Sequence, residues 1–221
     1  MSIIGAPTHW AGLIDPMVPV ILRLVVESWE SVYAFGSDER EDNITVALCR
    51  IVKRNRTARE LMFTIDTQQV ELDPAEGEDM GRLDISFRPC IPREDIYFCL
   101  EGKRLNVIKE GVLRTYASEY VTSGMMRFIS GQYAKEVQHG GMAGYVMDGE
   151  VPRAIQSVEN NVRTHQAALG MMPPVALSKS SLLAAEPRAR ETLHTRKVSP
   201  TSFRIHHLFL AKPRSSSSRP D

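Results

Sequence analysis

Apolar residues recur at helical spacing twice near the start of the chain, and the period then changes. After the Asp15-Pro16 start signal, Leu22, Val25, Val26, Trp29, Val32 and Tyr33 predict an amphipathic helix over Val20 to Phe35. The polar run Gly36 to Asp42 breaks it. Ile44, Ala47, Leu48, Ile51 and Val52 mark one face of a second helix, with Glu41 at its start and the basic cluster Lys53, Arg54, Arg56 at its end. Apolar residues alternate in Leu61 to Ile65, Val70 to Leu72, Leu83 to Phe87 and Ile96 to Leu100, which reads as a three-stranded meander punctuated by Gly77, Gly81, Pro89 and Pro92. A third helix presents Val121, Met125, Phe128, Ile129 and Tyr133; its Gly124 and Gly131 allow close approach to a sheet, and Gly140-Gly141 end it. Met142 to Met147 is a compact strand closed by Asp148 and Gly149, and Pro152 opens a helix with Ile155, Val158, Val162 and Leu169 inward. From Pro173 to Pro200 no period is clear, while Phe203 to Leu210 has the composition of one more strand.

The order helix, three strands, helix, strand predicts an α/β fold with helices flanking a central mixed sheet. Residues 1–37 read as an N-terminal helical extension, 38–210 as the main domain and 211–221, ending in KPRSSSSRPD, as a disordered tail. A length of 221 residues with 43% hydrophobic side chains suits one such domain. The 27 basic side chains balance 27 acidic ones, which excludes a binder held on nucleic acid by bulk charge. The balance is uneven along the chain: Glu60 to Gly102 holds 11 acidic and 3 basic residues, and Ser178 to Asp221 holds 9 basic and 3 acidic. A negative centre bordered by a positive segment would bind cations and phosphates together, unless the two runs never meet in space. Cys49, Cys90 and Cys99 form no CxxC pair, so a reducing, cytoplasmic setting is expected. The stretch Met17 to Val26 is too short to span a bilayer and the first residues carry no basic leader, so neither membrane insertion nor secretion is expected.

Glu101 and Lys103 are two apart in an extended segment, which puts both side chains on one face, opposite Phe98 and Leu100. Asp84 stands in the preceding strand, with Ile85 and Phe87 facing away from it. If the two strands pair, two carboxylates and one ammonium converge, the set that metal-dependent phosphodiester cleavage uses: hard oxygens for Mg²⁺ and a lysine beside them. Charges inside apolar strands are costly unless paired or bound to metal, and a structural salt bridge among Glu101, Lys103 and Asp84 is the plainer account of the same residues. Glu41, at a helix start, has dipole compensation as its plain account.

Glu41, Asp84 and Glu101-Gly102-Lys103, in that order of elements, resemble the PD-(D/E)XK nuclease superfamily with its restriction-endonuclease-like fold, over roughly Asp38 to Met147. The texts GRLDISFR, IYFCLEGKRLNV, EYVTSGMMRFISGQY, GGMAGYVMDG and IHHLFL are similar to a family of bacterial nuclease-like proteins. The superfamily resemblance implies that Asp84 is the central metal ligand, Glu101 the second, Lys103 the catalytic lysine, and Glu41 the helix carboxylate that reaches the metal directly or through water. Leu83 stands where the name-giving proline would be. The implied activity is a Mg²⁺-dependent endonuclease, with Mn²⁺ able to substitute, acting on DNA or else RNA, in a setting such as restriction or phage defence. A non-catalytic binding or assembly subunit of the same fold is the alternative, and a homodimer or a partner protein fits either.

Other polar and reactive residues have plainer accounts. Glu78 and Asp79 lie in a Gly-flanked polar turn and read as a solvated loop. His194 reads as a surface residue without a ligand partner. His206 and His207 point to opposite faces of a strand, so one is expected in the core. Cys99 reads as a small buried filler, and Arg104 and Arg127 as solvated arginines within reach of phosphate. There is no GxxxxGK[ST] phosphate loop.

Overall fold

A computed structural model of the chain describes residues 12–72, 74–91 and 93–213. Helix α1 (Val18–Trp29) follows a short turn at Asp15–Met17 and buries Ile21, Leu22, Val25 and Trp29. It is shorter than its periodicity suggests, because Ser31 and Val32 donate to Ser28 and Trp29 in tight turns that leave the helix, although Val32 and Phe35 remain buried. Helix α2 (Glu41–Arg54) keeps its expected apolar face and carries Glu41 and Asp42 in the first turn and Lys53 and Arg54 in the last, each the sign that suits the helix dipole there. A short α3 (Arg56–Glu60) leads into the sheet.

Strands β1 (Phe63–Val70), β2 (Arg82–Pro89) and β3 (Phe98–Leu105) form the antiparallel meander. A two-stranded ribbon of β4 (Val107–Lys109) and β5 (Val112–Arg114) follows, with Ile108 and Val112 exposed. Helix α4 spans 117–130 with a π-helical middle, Tyr120–Met125. It crosses to β6 (His139–Val146), which pairs parallel with β3. Helix α5 (Val151–Thr164) then crosses toward β9 (Ser199–Ala211), parallel to β6, and β7 (Ser178–Lys179) and β8 (Ala189–Arg196) complete the far edge. The result is an α/β fold around a mixed seven-stranded sheet in the order β1-β2-β3-β6-β9-β8-β7. Helices α1 and α2 cover the face that carries Tyr145, where Trp29 stacks at 5.5 Å and Thr45 shares a 2.9 Å hydrogen bond. Helix α4 covers the other face. The helix of the 1–37 segment thus packs into the same core as the sheet, and Trp29 Nε1 donates to Ala211 O at 2.7 Å.

Three details differ from the expected pattern. Gly140 and Gly141 lie inside β6 instead of ending a helix, which already stops at Gly131 in a left-handed turn (φ +85°). A Cβ at Gly140 would come within 2.6 Å of the Phe128 ring, and one at Gly141 within 2.5 Å of Leu100 Cδ2, so the glycines serve packing on both faces. Strand β8 occupies the stretch without a period, since its burial alternates incompletely along Ala189–Arg196. Of the expected tail, Ala211 ends β9 and Lys212 N donates to Val146 O, while residues 214–221 lie outside the described residues. Among the described residues no helix is long and apolar enough to cross a membrane.

His194 is fully buried rather than a surface residue, and both His206 and His207 are buried. His194 Nδ1 lies 2.8 Å from Leu169 O, a pure acceptor, so Nδ1 carries the proton and Nε2 accepts. That choice sets the rest: Thr192 Oγ1 donates to His194 Nε2 (2.7 Å), His207 Nε2 donates to Thr192 Oγ1 (2.9 Å), and Tyr120 O–H donates to His207 Nδ1 (3.0 Å). Each group of this buried chain is satisfied with both imidazoles neutral. A separate pair, His139 and His206, sits edge to edge with Nδ1 and Nε2 3.0 Å apart.

Candidate active site

Strand β3 places Glu101 and Lys103 toward α4, opposite Met142 and Gly144 of β6, while Gly102 faces α2. The ladder between β2 and β3 runs from Phe87↔Phe98 to Ile85↔Leu100; one step further, Asp84 Oδ2 accepts the Gly102 N–H at 2.8 Å. A side chain thus takes a donor that would otherwise serve a neighbouring strand, and it brings Asp84 beside Glu101. Gln68, in a left-handed conformation (φ 57°), lies 3.5 Å from the other Asp84 oxygen.

Glu101 is 1% exposed. Its Oε1 accepts from Lys103 Nζ at 2.7 Å and from Arg127 Nη1 at 2.9 Å, while Oε2 is buried with no hydrogen-bond partner among the described residues. Lys103 also donates to Glu41 Oε1 at 3.0 Å and to Gly102 O at 2.8 Å, which engages all three of its protons. Glu41 makes no cap to its own helix; its Oε2 accepts the Arg104 N–H at 2.9 Å, so it ties the start of α2 to β3. Arg104 itself reaches back to Glu39 O at 2.9 Å. The structure therefore brings Asp84, Glu101, Lys103 and Glu41 together, with Glu41 joined to the group through Lys103 and through backbone.

Burial raises the Asp84 carboxyl above its usual range against the pull of the Gly102 N–H and Lys103. Burial, with Asp84 adding to it, pushes Glu101 up to about 7 although Lys103 and Arg127 oppose the shift. For Lys103, burial works toward the neutral amine, but Glu101 and Glu41 outweigh it and hold the ammonium above its ordinary value. Two carboxylates thus resist sharing negative charge while a cation stays charged beside them. Among the described residues, no group of three or more His, Cys, Asp or Glu side chains is arranged to hold a metal ion, so any ion at Asp84 and Glu101 would draw its remaining ligands from water, substrate or backbone.

Arg127, which the sequence alone presents as a solvated arginine, takes part in the site. Its Nη1 bridges Glu101 and the Tyr133 hydroxyl (2.7 Å), and Tyr133 in turn donates to Arg82 O at 2.8 Å, at the start of the strand that carries Asp84. The helical spacing of Val121, Met125 and Phe128 placed α4 on the sheet, but nothing local to Arg127 marks the carboxylate 26 residues earlier. Cys99 is buried, as expected of a small filler.

Gly102 admits no side chain. A Cβ there would lie 2.9 Å from Thr45 Oγ1 and from Tyr145 Cε2. Gly102→Ala is expected to cost about 1–3 kcal/mol by overpacking, read as a lower urea midpoint. A midpoint equal to that of the parent would mean that Thr45 and Tyr145 move aside freely.

No protein-family model, curated protein or solved structure matches this chain.

Proposed function

We propose that this protein is a divalent-metal-dependent nuclease that hydrolyses DNA phosphodiester bonds at Asp84, Glu101 and Lys103. The observation that carries the reading is the Glu101 carboxylate: almost wholly buried, beside a second carboxylate, with Oε2 lacking a donor among the described residues. An unpartnered buried carboxylate oxygen is expensive, and a hard cation is the ligand that relieves it. Asp84 and Glu101 would hold the ion, Mg²⁺ or Mn²⁺, which when bound supplies Lewis-acid polarisation of a phosphate and a more acidic water.

The chain's own residues would divide the remaining work. Lys103 keeps its charge and, placed next to the reacting phosphate, would stabilise negative charge that builds on it during attack. Glu41 has both oxygens committed to Lys103 and to Arg104 N, so this reading gives it the positioning of Lys103 in place of the metal contact that the resemblance implies. The succession α2, β1 to β3, α4 and β6 agrees with a restriction-endonuclease-like core, which supports the same reading.

One observation favours the second reading, a non-catalytic subunit of the same fold: Lys103 is saturated by protein acceptors, as in a purely structural ion-pair network. Incubation of the purified protein with plasmid, linear and single-stranded DNA in Mg²⁺, Mn²⁺ or EDTA separates the two. Metal-dependent cleavage, lost in EDTA, is expected. A folded protein that neither cuts nor binds Mn²⁺ calorimetrically would leave the structural network as the function of these residues.

A further inference from the structure

Beside the carboxylates, the surface of α4 lines a cleft of about 360 Å³ that includes Thr122, Ser123, Arg127, Gln132 and Glu78. Two features join it to the site. At Gly124 the helix lies directly on β3 and β6, where a Cβ would meet Met142 Cε at 2.5 Å and Lys103 Cγ at 3.6 Å. One helical turn later, Arg127 reaches Glu101 from the cleft.

Arg127 is held on one side only. Nη1 makes both of its hydrogen bonds, to Glu101 and to Tyr133, and the guanidinium packs 5.3 Å from the centre of the Tyr133 ring. Nε and Nη2 have no protein partner among the described residues, on a side chain that is 36% exposed and lines the cleft. A guanidinium anchored through one nitrogen and open along its other edge presents two N–H groups in the planar fork that suits a phosphate. Ser123, in the π-helical segment, is exposed and lines the same cleft, where its hydroxyl adds a neutral donor. Glu78 is the acid in the lining and opposes an anion there.

We propose that this cleft carries the backbone of the strand being cut, with Arg127 binding a phosphate next to the scissile one through Nε and Nη2. This rests on the nuclease reading and adds to it the path of the strand and a binding residue 24 positions beyond Lys103. Glu78 would then weaken binding at the other part of the cleft, so its removal should tighten it.

The test measures anisotropy of a short labelled DNA oligonucleotide on the Asp84→Asn protein in EDTA, over a range of salt, so that binding is read without cleavage. Arg127→Gln should weaken affinity about tenfold and make the slope of log affinity against log salt shallower by about one, as for one lost phosphate contact. Arg127→Lys should recover part of the affinity. Ser123→Asp and Glu78→Gln leave the Glu101 network untouched and should shift affinity in opposite directions, weaker and tighter; they carry the test if Arg127→Gln fails to fold. In the active protein, Arg127→Gln should raise KM more than it lowers kcat.

Unchanged affinity and salt slope in folded Arg127→Gln, or no response to both Ser123→Asp and Glu78→Gln, overturns the proposal. Wild-type cleavage alongside that result would leave the nuclease reading standing. Absence of cleavage in every metal, with Arg127-dependent binding intact, would instead sustain the cleft as a backbone-binding site and sink the nuclease reading.

Discussion

Lys103→Ala is expected to lower single-turnover DNA cleavage about a hundredfold or more, on the order of 3 kcal/mol in the barrier, while Mn²⁺ still binds. The ammonium lies within 3.0 Å of Glu101 and Glu41, and both hold it charged, so its loss removes the cation placed to meet developing charge. Were Lys103 only a structural partner, its removal would leave Glu101 with Arg127 as its remaining cation, raise the carboxyl further and destabilise the fold. Activity would then fall only as far as the folded fraction does. Cleavage and a urea melt on one preparation decide between these, and full activity in a stable Lys103→Ala protein would sink the assignment at this site. Asp84→Asn is the complementary variant: it should abolish Mn²⁺ binding and spare the fold, because Asn keeps an oxygen for the Gly102 N–H and removes a charge that Glu101 resists.

Acid should unfold this protein through its core histidines. Burial pulls His194 down to about 4 and His207 down to about 3, against an ordinary value of 6.5. Between those values and 6.5 the unfolded chain binds protons that the folded chain refuses, so stability falls as pH drops. At about pH 5 the pair should cost about 4 kcal/mol relative to about pH 8, a large share of the ~5–15 kcal/mol typical of a domain. Glu101 works in the opposite sense, since a carboxyl raised to about 7 favours the folded state at low pH and loses that contribution as pH rises from 4.5. The measurement is therefore a series of urea midpoints in Glu101→Gln, in which the decline toward pH 5 should be steep, with proton uptake on unfolding of about two from His194 and His207 and more from His206, which burial also depresses. A flat profile between pH 8 and pH 5 would show that the chain from Tyr120 to Leu169 accepts a proton without breaking.

The features legible in the sequence are local. A period of two puts Glu101 and Lys103 on one face of β3 whatever surrounds them, and a period near 3.6 marks the buried sides of α1, α2 and α4. The meander is legible because its strands are neighbours in the chain, separated by Gly- and Pro-containing turns, although only part of β1 and β2 alternates and the first five residues of β3 are all buried. Tertiary structure decided the partners. Glu41 meets Lys103 across 62 residues, Arg127 meets Glu101 across 26, and Tyr120 meets His207 across 87. None of these pairings follows from spacing, because each depends on which strand lies beside which. The parallel placement of β6 between β3 and β9 sets α4 against the carboxylates and buries the histidines of β8 and β9 behind it. The same reason explains Gly140 and Gly141: alone they look like a helix stop, and only the approach of Phe128 from one side and Leu100 from the other makes them strand residues. Periodicity reports which side of an element is buried, whereas the identity of what buries it is a property of the assembled sheet.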